Sequence, residues 1–164
     1  MKIKLILLLS VYCSVAYAGR KVTVIPSTMT IKAREYGHYY ADVKLMGGMY
    51  NKYKTKYYHK FLIDTGASFN FMSYEIATDL FGKNIVDGTD FNTPISTGNG
   101  VVYYSDPHYV DIIIGDFKTY RIKTLIAPKG ALKDGVLGMS FLSSLKEWSV
   151  KDDVLTIKYN KYKY

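Results

Sequence analysis

Phe61-Leu62-Ile63-Asp64-Thr65-Gly66-Ala67-Ser68 sets three apolar residues directly against an acid. A short apolar run reads as a buried strand, so this one delivers a carboxylate to a turn at its end. A buried, isolated charge is costly, so an acid in that place is either paired or has a function. Gly66 permits a close approach that a side chain would block, and lets main-chain N–H groups face the carboxylate. Thr65 offers a short hydroxyl that can lock the turn by hydrogen bonds. Asp-Thr-Gly alone arises by chance in roughly a few per cent of chains this long, so its surroundings must carry the argument.

The neighbouring segments also read as strands. Tyr39–Leu45 and Tyr57–Ile63 form a hairpin with a long Lys/Tyr tip after the Gly47-Gly48 turn. Phe91–Ile95 and Val101–Tyr104 flank Thr97-Gly98-Asn99-Gly100, a second hairpin with a glycine tip. Tyr109–Ile114 turns at Gly115-Asp116 into Phe117–Ile126. Gly135–Gly138 is a tight apolar element, and Trp148–Val150 with Val154–Tyr159 makes a last hairpin around Asp152-Asp153. Two short helices are expected, at Ser73–Leu80, from Ile76, Ala77 and Leu80, and at Ser140–Lys146. Val22–Ile31 reads as an N-terminal arm or strand. The pattern is all-β, at the spacing of a sandwich or closed barrel.

The order of these motifs resembles the retropepsin-like aspartic proteases, the single-domain relatives of retroviral proteases. The resemblance runs from about Ile31 to Tyr159. It implies an acid-protease barrel with one lobe per chain. Asp64 matches the catalytic acid, supported by Thr65, Gly66 and Ala67. Thr97, Gly98, Asn99 and Gly100 fall where the family has its substrate-binding flap. Leu137 and Gly138, with Met139-Ser140-Phe141-Leu142 after them, resemble the Leu-Gly stretch beneath the site. Gly37-His38-Tyr39 and that Leu-Gly-Met-Ser-Phe-Leu run are closer to a bacterial exported branch than to the viral one. Met49–Lys60 stands as an insertion, and the C-terminal hairpin departs from the viral dimer-forming termini.

The chain has 164 residues, 48% hydrophobic and 22% charged, a globular composition of one-domain length. Tyr is abundant, at 17, which favours strands. Cys13 is the only cysteine, so a cysteine metal cage is excluded. Met1–Lys4 carries two lysines, Leu5–Tyr12 is a short apolar run, and Ala16-Tyr17-Ala18 ends it in small-x-small form. These are the three parts of a secretory leader, so cleavage after Ala18 is expected. The domain is then residues 19–164, with 19–36 as an arm. The product is expected in the periplasm or medium, without a stable membrane anchor. Lipidation at Cys13 is the lesser alternative, since Tyr12 is bulky for the residue before a lipidated cysteine.

The net charge of +8 raises a nucleic-acid reading. Lys52, Lys54, Lys56 and Lys60 interleave with Tyr50, Tyr53, Tyr57 and Tyr58, the composition of a single-strand platform. A solvated hairpin whose lysines protect a strand edge is favoured over it. His38, His59 and His108 are scattered, so no metal or other cofactor is expected. Neither Ser68 nor Ser140 sits in Gly-x-Ser-x-Gly. With no second Asp-Thr-Gly or Asp-Ser-Gly, the resemblance implies a homodimer whose two Asp64 carboxylates share a proton and hydrolyse a peptide. A non-catalytic exported module on the same fold, holding a peptide, glycan or surface polymer, is the alternative.

Overall fold

Residues that alternate apolar with polar along the chain become thirteen strands in the computed structural model, which describes residues 13–17, 20–47 and 52–163. In chain order the first are β1 (Cys13–Tyr17), β2 (Arg20–Lys32), β3 (Tyr39–Gly47), β4 (Tyr53–Lys54), β5 (His59–Ile63) and β6 (Asn70–Met72). Helices α1 (Tyr74–Phe81) and α2 (Lys83–Asp87) follow. Next come β7 (Thr93–Thr97), β8 (Gly100–Tyr104), β9 (His108–Ile114), β10 (Phe117–Ile126) and β11 (Gly135–Leu137). Helix α3 (Met139–Leu142), β12 (Glu147–Lys151) and β13 (Val154–Lys163) complete the order.

Six strands close a barrel in the order β3-β5-β11-β6-β10-β9, sealed where β9 pairs back onto β3. Of the two all-β architectures the strand spacing allows, the fold is the barrel. Its interior is filled from inward positions such as Val43, Leu45, Phe61, Ile112 and Leu137, each at most 1% exposed. Helix α1 packs on β3, β4 and β6 at one end, burying Ile76, Ala77 and Leu80. Ser73 caps it, its hydroxyl accepting from the Ile76 N–H at 3.3 Å. At the other end Phe117 meets the rings of Phe141 and Tyr159 at 6.1 and 5.0 Å, joining α3 and β13 to the core.

Several expectations are revised. Of arm or strand, the N-terminal segment is a strand: β2 pairs with β13 from Lys32↔Val154 to Thr23↔Lys163, in a four-stranded sheet ordered β1-β2-β13-β12. The second expected helix spans only Met139–Leu142, because serines follow it; the Ser144 hydroxyl donates to the Phe141 carbonyl at 2.7 Å and takes the acceptor of the next turn. Strand β6 and helix α2 are additions. The Lys/Tyr segment is no free hairpin either. Thr55 is fully buried, exchanging hydrogen bonds with the Leu45 main chain, and His59 and the Lys56 N–H both meet Asp79. Burial pushes the Asp79 carboxyl up, but the bonds from His59 and from the Lys56 and Tyr57 N–H groups outweigh it, so it lies below its ordinary 3.8. The expected leader, apart from Cys13–Tyr17, lies outside the described residues, as do 49–51 of the insertion.

Candidate active site

Strand β5 carries Phe61 and Ile63 into the core and ends at Asp64, half-buried at the rim. Strand β11 runs parallel beside it, and the ladder continues one step further, the Asp64 N–H donating to the Leu137 carbonyl at 3.0 Å. Asp64 is therefore fixed by two neighbouring strands. Its Oδ1 accepts the Gly66 N–H at 2.8 Å, the main-chain contact that the glycine suggested.

The loop after Asp64 rests on the chain just beyond β11. The Met139 N–H donates to the Ala67 carbonyl at 2.7 Å. The Ser68 carbonyl accepts from the Ser140 N–H at 3.2 Å and hydroxyl at 3.0 Å. Gly138 lies so close beneath that a Cβ there would sit 2.3 Å from the Phe69 oxygen and 2.4 Å from the Ala67 oxygen. Leu137 is fully buried below the site and does not line it. Asn70, absent from the sequence reading, clamps these pieces together. Fully buried, its Oδ1 accepts the Gly138 N–H at 2.9 Å and its Nδ2 donates to the Lys123 carbonyl at 3.0 Å. A lone amide inside the apolar run Phe69-Asn70-Phe71-Met72 was the available signal, since a buried amide must find partners.

Above the loop, β7 and β8 form a separate two-stranded hairpin. The Thr97 hydroxyl donates to the Gly100 carbonyl at 2.8 Å and accepts the Asn99 N–H at 3.2 Å, closing the tip. Gly100, at φ +110°, occupies a region that favours glycine. The base is tied to the barrel through Ser105, whose N–H and hydroxyl bond the Ile126 main chain at 3.0 and 2.8 Å. Ile95, Val102 and Tyr104 pack towards Phe71, Leu125 and Val136 on the outside of the barrel, a second apolar cluster. Burial pushes the Tyr104 phenol up, so it remains protonated.

Between hairpin and barrel lies a cleft of about 550 Å³. Asp64, Gly66, Ala67, Thr97 and Gly98 all line it, as do Phe69, Phe71, Ile95, Tyr104 and Val136. Asn99 and Gly100 belong to the exposed tip and are not among its lining residues. Thr65 does not line it either; with Asp64 it borders a smaller hollow of about 230 Å³ beside His38, Trp148 and Val150. Thr65 is exposed, and among the described residues its hydroxyl makes none of the hydrogen bonds expected to lock the turn. A depression of about 570 Å³ lies elsewhere, lined by Tyr40, Asp42, Tyr58 and Gly115, and Asp64 takes no part in it. Among the described residues no cluster of His, Cys, Asp and Glu is fit to hold a metal ion.

An acid fixed at the rim of an apolar-floored cleft, under a glycine-tipped hairpin, agrees with the family comparison. The model of the "gag-polyprotein putative aspartyl protease" family matches residues 54–144, from β4 to beyond α3. The chain belongs to that family. A crystal structure of a retropepsin-like aspartic protease from Rickettsia conorii superposes with a TM-score of 0.69 at 24% identity, covering 87% of this chain and 98% of that one. The retropepsin-like fold is thereby shown for this family member. A Sinorhizobium protein, described as an uncharacterized protein in the cobV 5' region, is 33% identical over 97 residues. That match takes in 59% of this chain and 41% of the Sinorhizobium protein, so this chain spans well under half of that relative.

Proposed function

We propose that the chain is an exported aspartic endopeptidase whose active site is completed by a second copy. The observation that carries the reading is the placement of Asp64, the only charged residue among the described residues lining the cleft, beside an apolar floor and beneath the hairpin. Peptide hydrolysis of this type needs one carboxylate to take a proton from water and another to donate to the carbonyl oxygen. Water adds to the carbonyl carbon, the C–N bond then breaks, and the proton returns to the leaving amine. One chain supplies one such carboxylate, so a two-fold axis beside Asp64 supplies the other. The hollow next to Thr65, with Trp148 half-buried and Val150 exposed, is where a partner's loop would seat. The cleft suits an extended peptide held by main-chain bonds to the hairpin, with side chains on the floor of Phe69, Phe71 and Val136.

Export rests on the leader pattern. Strand β1, which pairs Cys13–Tyr17 with Arg20–Val24, falls within that leader. Cleavage after Ala18 would release it and leave the β2 edge open to another strand, which favours association. The chain recovered from the cell envelope or medium is expected to begin at Gly19 by mass spectrometry. A recovered chain that still carries Cys13 with a lipid attached would overturn soluble export. The activity is tested by incubating purified chain, at concentrations where it is dimeric, with unstructured polypeptides and sequencing the fragments. New peptide termini are expected. Peptides that are bound but never cut would instead identify a binding module.

A further inference from the structure

The cleft floor does not end at its apolar residues. Along β10, side chains of one face recur at every second position, so Ala127, Leu125 and Lys123 follow one another on the outside of the barrel. Ala127 and Leu125 belong to the apolar cluster under the hairpin. Lys123 comes next, about 7 Å further along. Its ammonium lies 4.9 Å from the centroid of the Phe69 ring, and Phe69 lines the cleft together with Asp64. Across the ladder Lys123 faces Tyr109 of β9, which is exposed, and the Arg121 guanidinium lies 5.6 Å from the Tyr109 ring. Two cations thus extend the line of the cleft past Phe69, each resting on an aromatic face. Among the described residues neither forms an ion pair with a carboxylate. Beside Leu132, another lining residue, the loop before β11 adds exposed Lys129 and Lys133 against one acid, Asp134.

We propose that Lys123 and Arg121 form a subsite selecting peptides with an acidic side chain two residues from the apolar residue seated over Phe71. The inference rests on the peptidase reading and names its substrate class. In an extended peptide, side chains of one face also recur about every 7 Å, so a residue over Phe71 places the next residue of that face over Phe69, against whose ring the Lys123 ammonium lies. Among the described residues the cations have no carboxylate partner, so they keep their attraction for an incoming carboxylate, which steers the peptide and fixes its register.

The test uses peptide sets with one apolar core and Glu, Gln or Lys two residues to either side of it. On one side, kcat/KM is expected to favour Glu over Lys by about tenfold at low salt, the ratio shrinking as salt screens the charges. Lys123→Glu should bring the ratio to unity or invert it, while Lys123→Arg should keep it. Lys54→Glu, the same charge change on β4, should leave the ratio as it is. Equal rates for Glu and Lys in the unaltered chain, or a preference that survives Lys123→Glu, would overturn the subsite. Fluorescence anisotropy of the same peptides on Asp64→Asn reads the ratio by binding alone. A Glu preference in binding with no cleavage by the unaltered chain would count against the peptidase and for the subsite. Cleavage with equal affinities would count against the subsite alone.

Discussion

Asp64→Asn is expected to lower kcat/KM for peptide cleavage by about 10³-fold or more, the scale of losing an essential general base and acid together. The change is close to isosteric, and the amide oxygen can still accept the Gly66 N–H now bonded to Oδ1 at 2.8 Å. The loop should keep its shape, so the thermal midpoint and the dimer should stay near those of the unaltered chain. What is lost is proton transfer, since an amide neither takes the proton of water nor supplies one to the carbonyl oxygen. Cleavage at near the original rate, with the fold intact, would place the activity elsewhere in the chain.

The second large effect is structural. Gly138→Ala puts a Cβ 2.3 Å from the Phe69 oxygen and 2.4 Å from the Ala67 oxygen. Both are main-chain atoms, so no side-chain rotation relieves the overlap. The same loop carries the bonds from Met139 and Ser140 that hold Ala67 and Ser68. Accommodating a methyl group means parting the Asp64 loop from the chain beyond β11, and Asn70 loses its hold on the Gly138 N–H. A loss of about 3 kcal/mol or more is expected, read as a fall in the urea midpoint. Activity should fall further than the folded fraction accounts for, because Asp64 is positioned through the same contacts. A midpoint within about 0.5 kcal/mol of the unaltered chain would show that the loop is not packed this way.

Much of this was legible in the sequence because its signals are local. An apolar strand running into Asp-Thr-Gly fixes where the acid stands, and Gly98 with Gly100 marks a hairpin tip whatever the fold around it. The resemblance then supplied the barrel, which the family match and the superposed structure bear out. Less legible were features decided by distant partners. Asn70 looks like a stray polar residue until β10 and the chain after β11 arrive on either side of it. Strand β6 is only Asn70–Met72, too short for any alternation to show, and it exists because β10 and β11 pair with it. Strand alternation turns Leu137 into the core and its neighbour Val136 to the cleft, a facing that the Leu-Gly motif alone does not give. The arm was ambiguous alone, since its ladder depends on β13 at the far end of the chain.

If two copies of Asp64 make one active site, active and inactive subunits must interfere when mixed. A fixed amount of active chain is titrated with Asp64→Asn chain under conditions where subunits exchange. Shared catalysis predicts that activity falls to about half at equimolar inactive chain, as random pairing converts active dimers to mixed ones, and continues towards zero with excess. Activity that stays constant however much Asp64→Asn chain is added, while mixed dimers are demonstrably present, would contradict it.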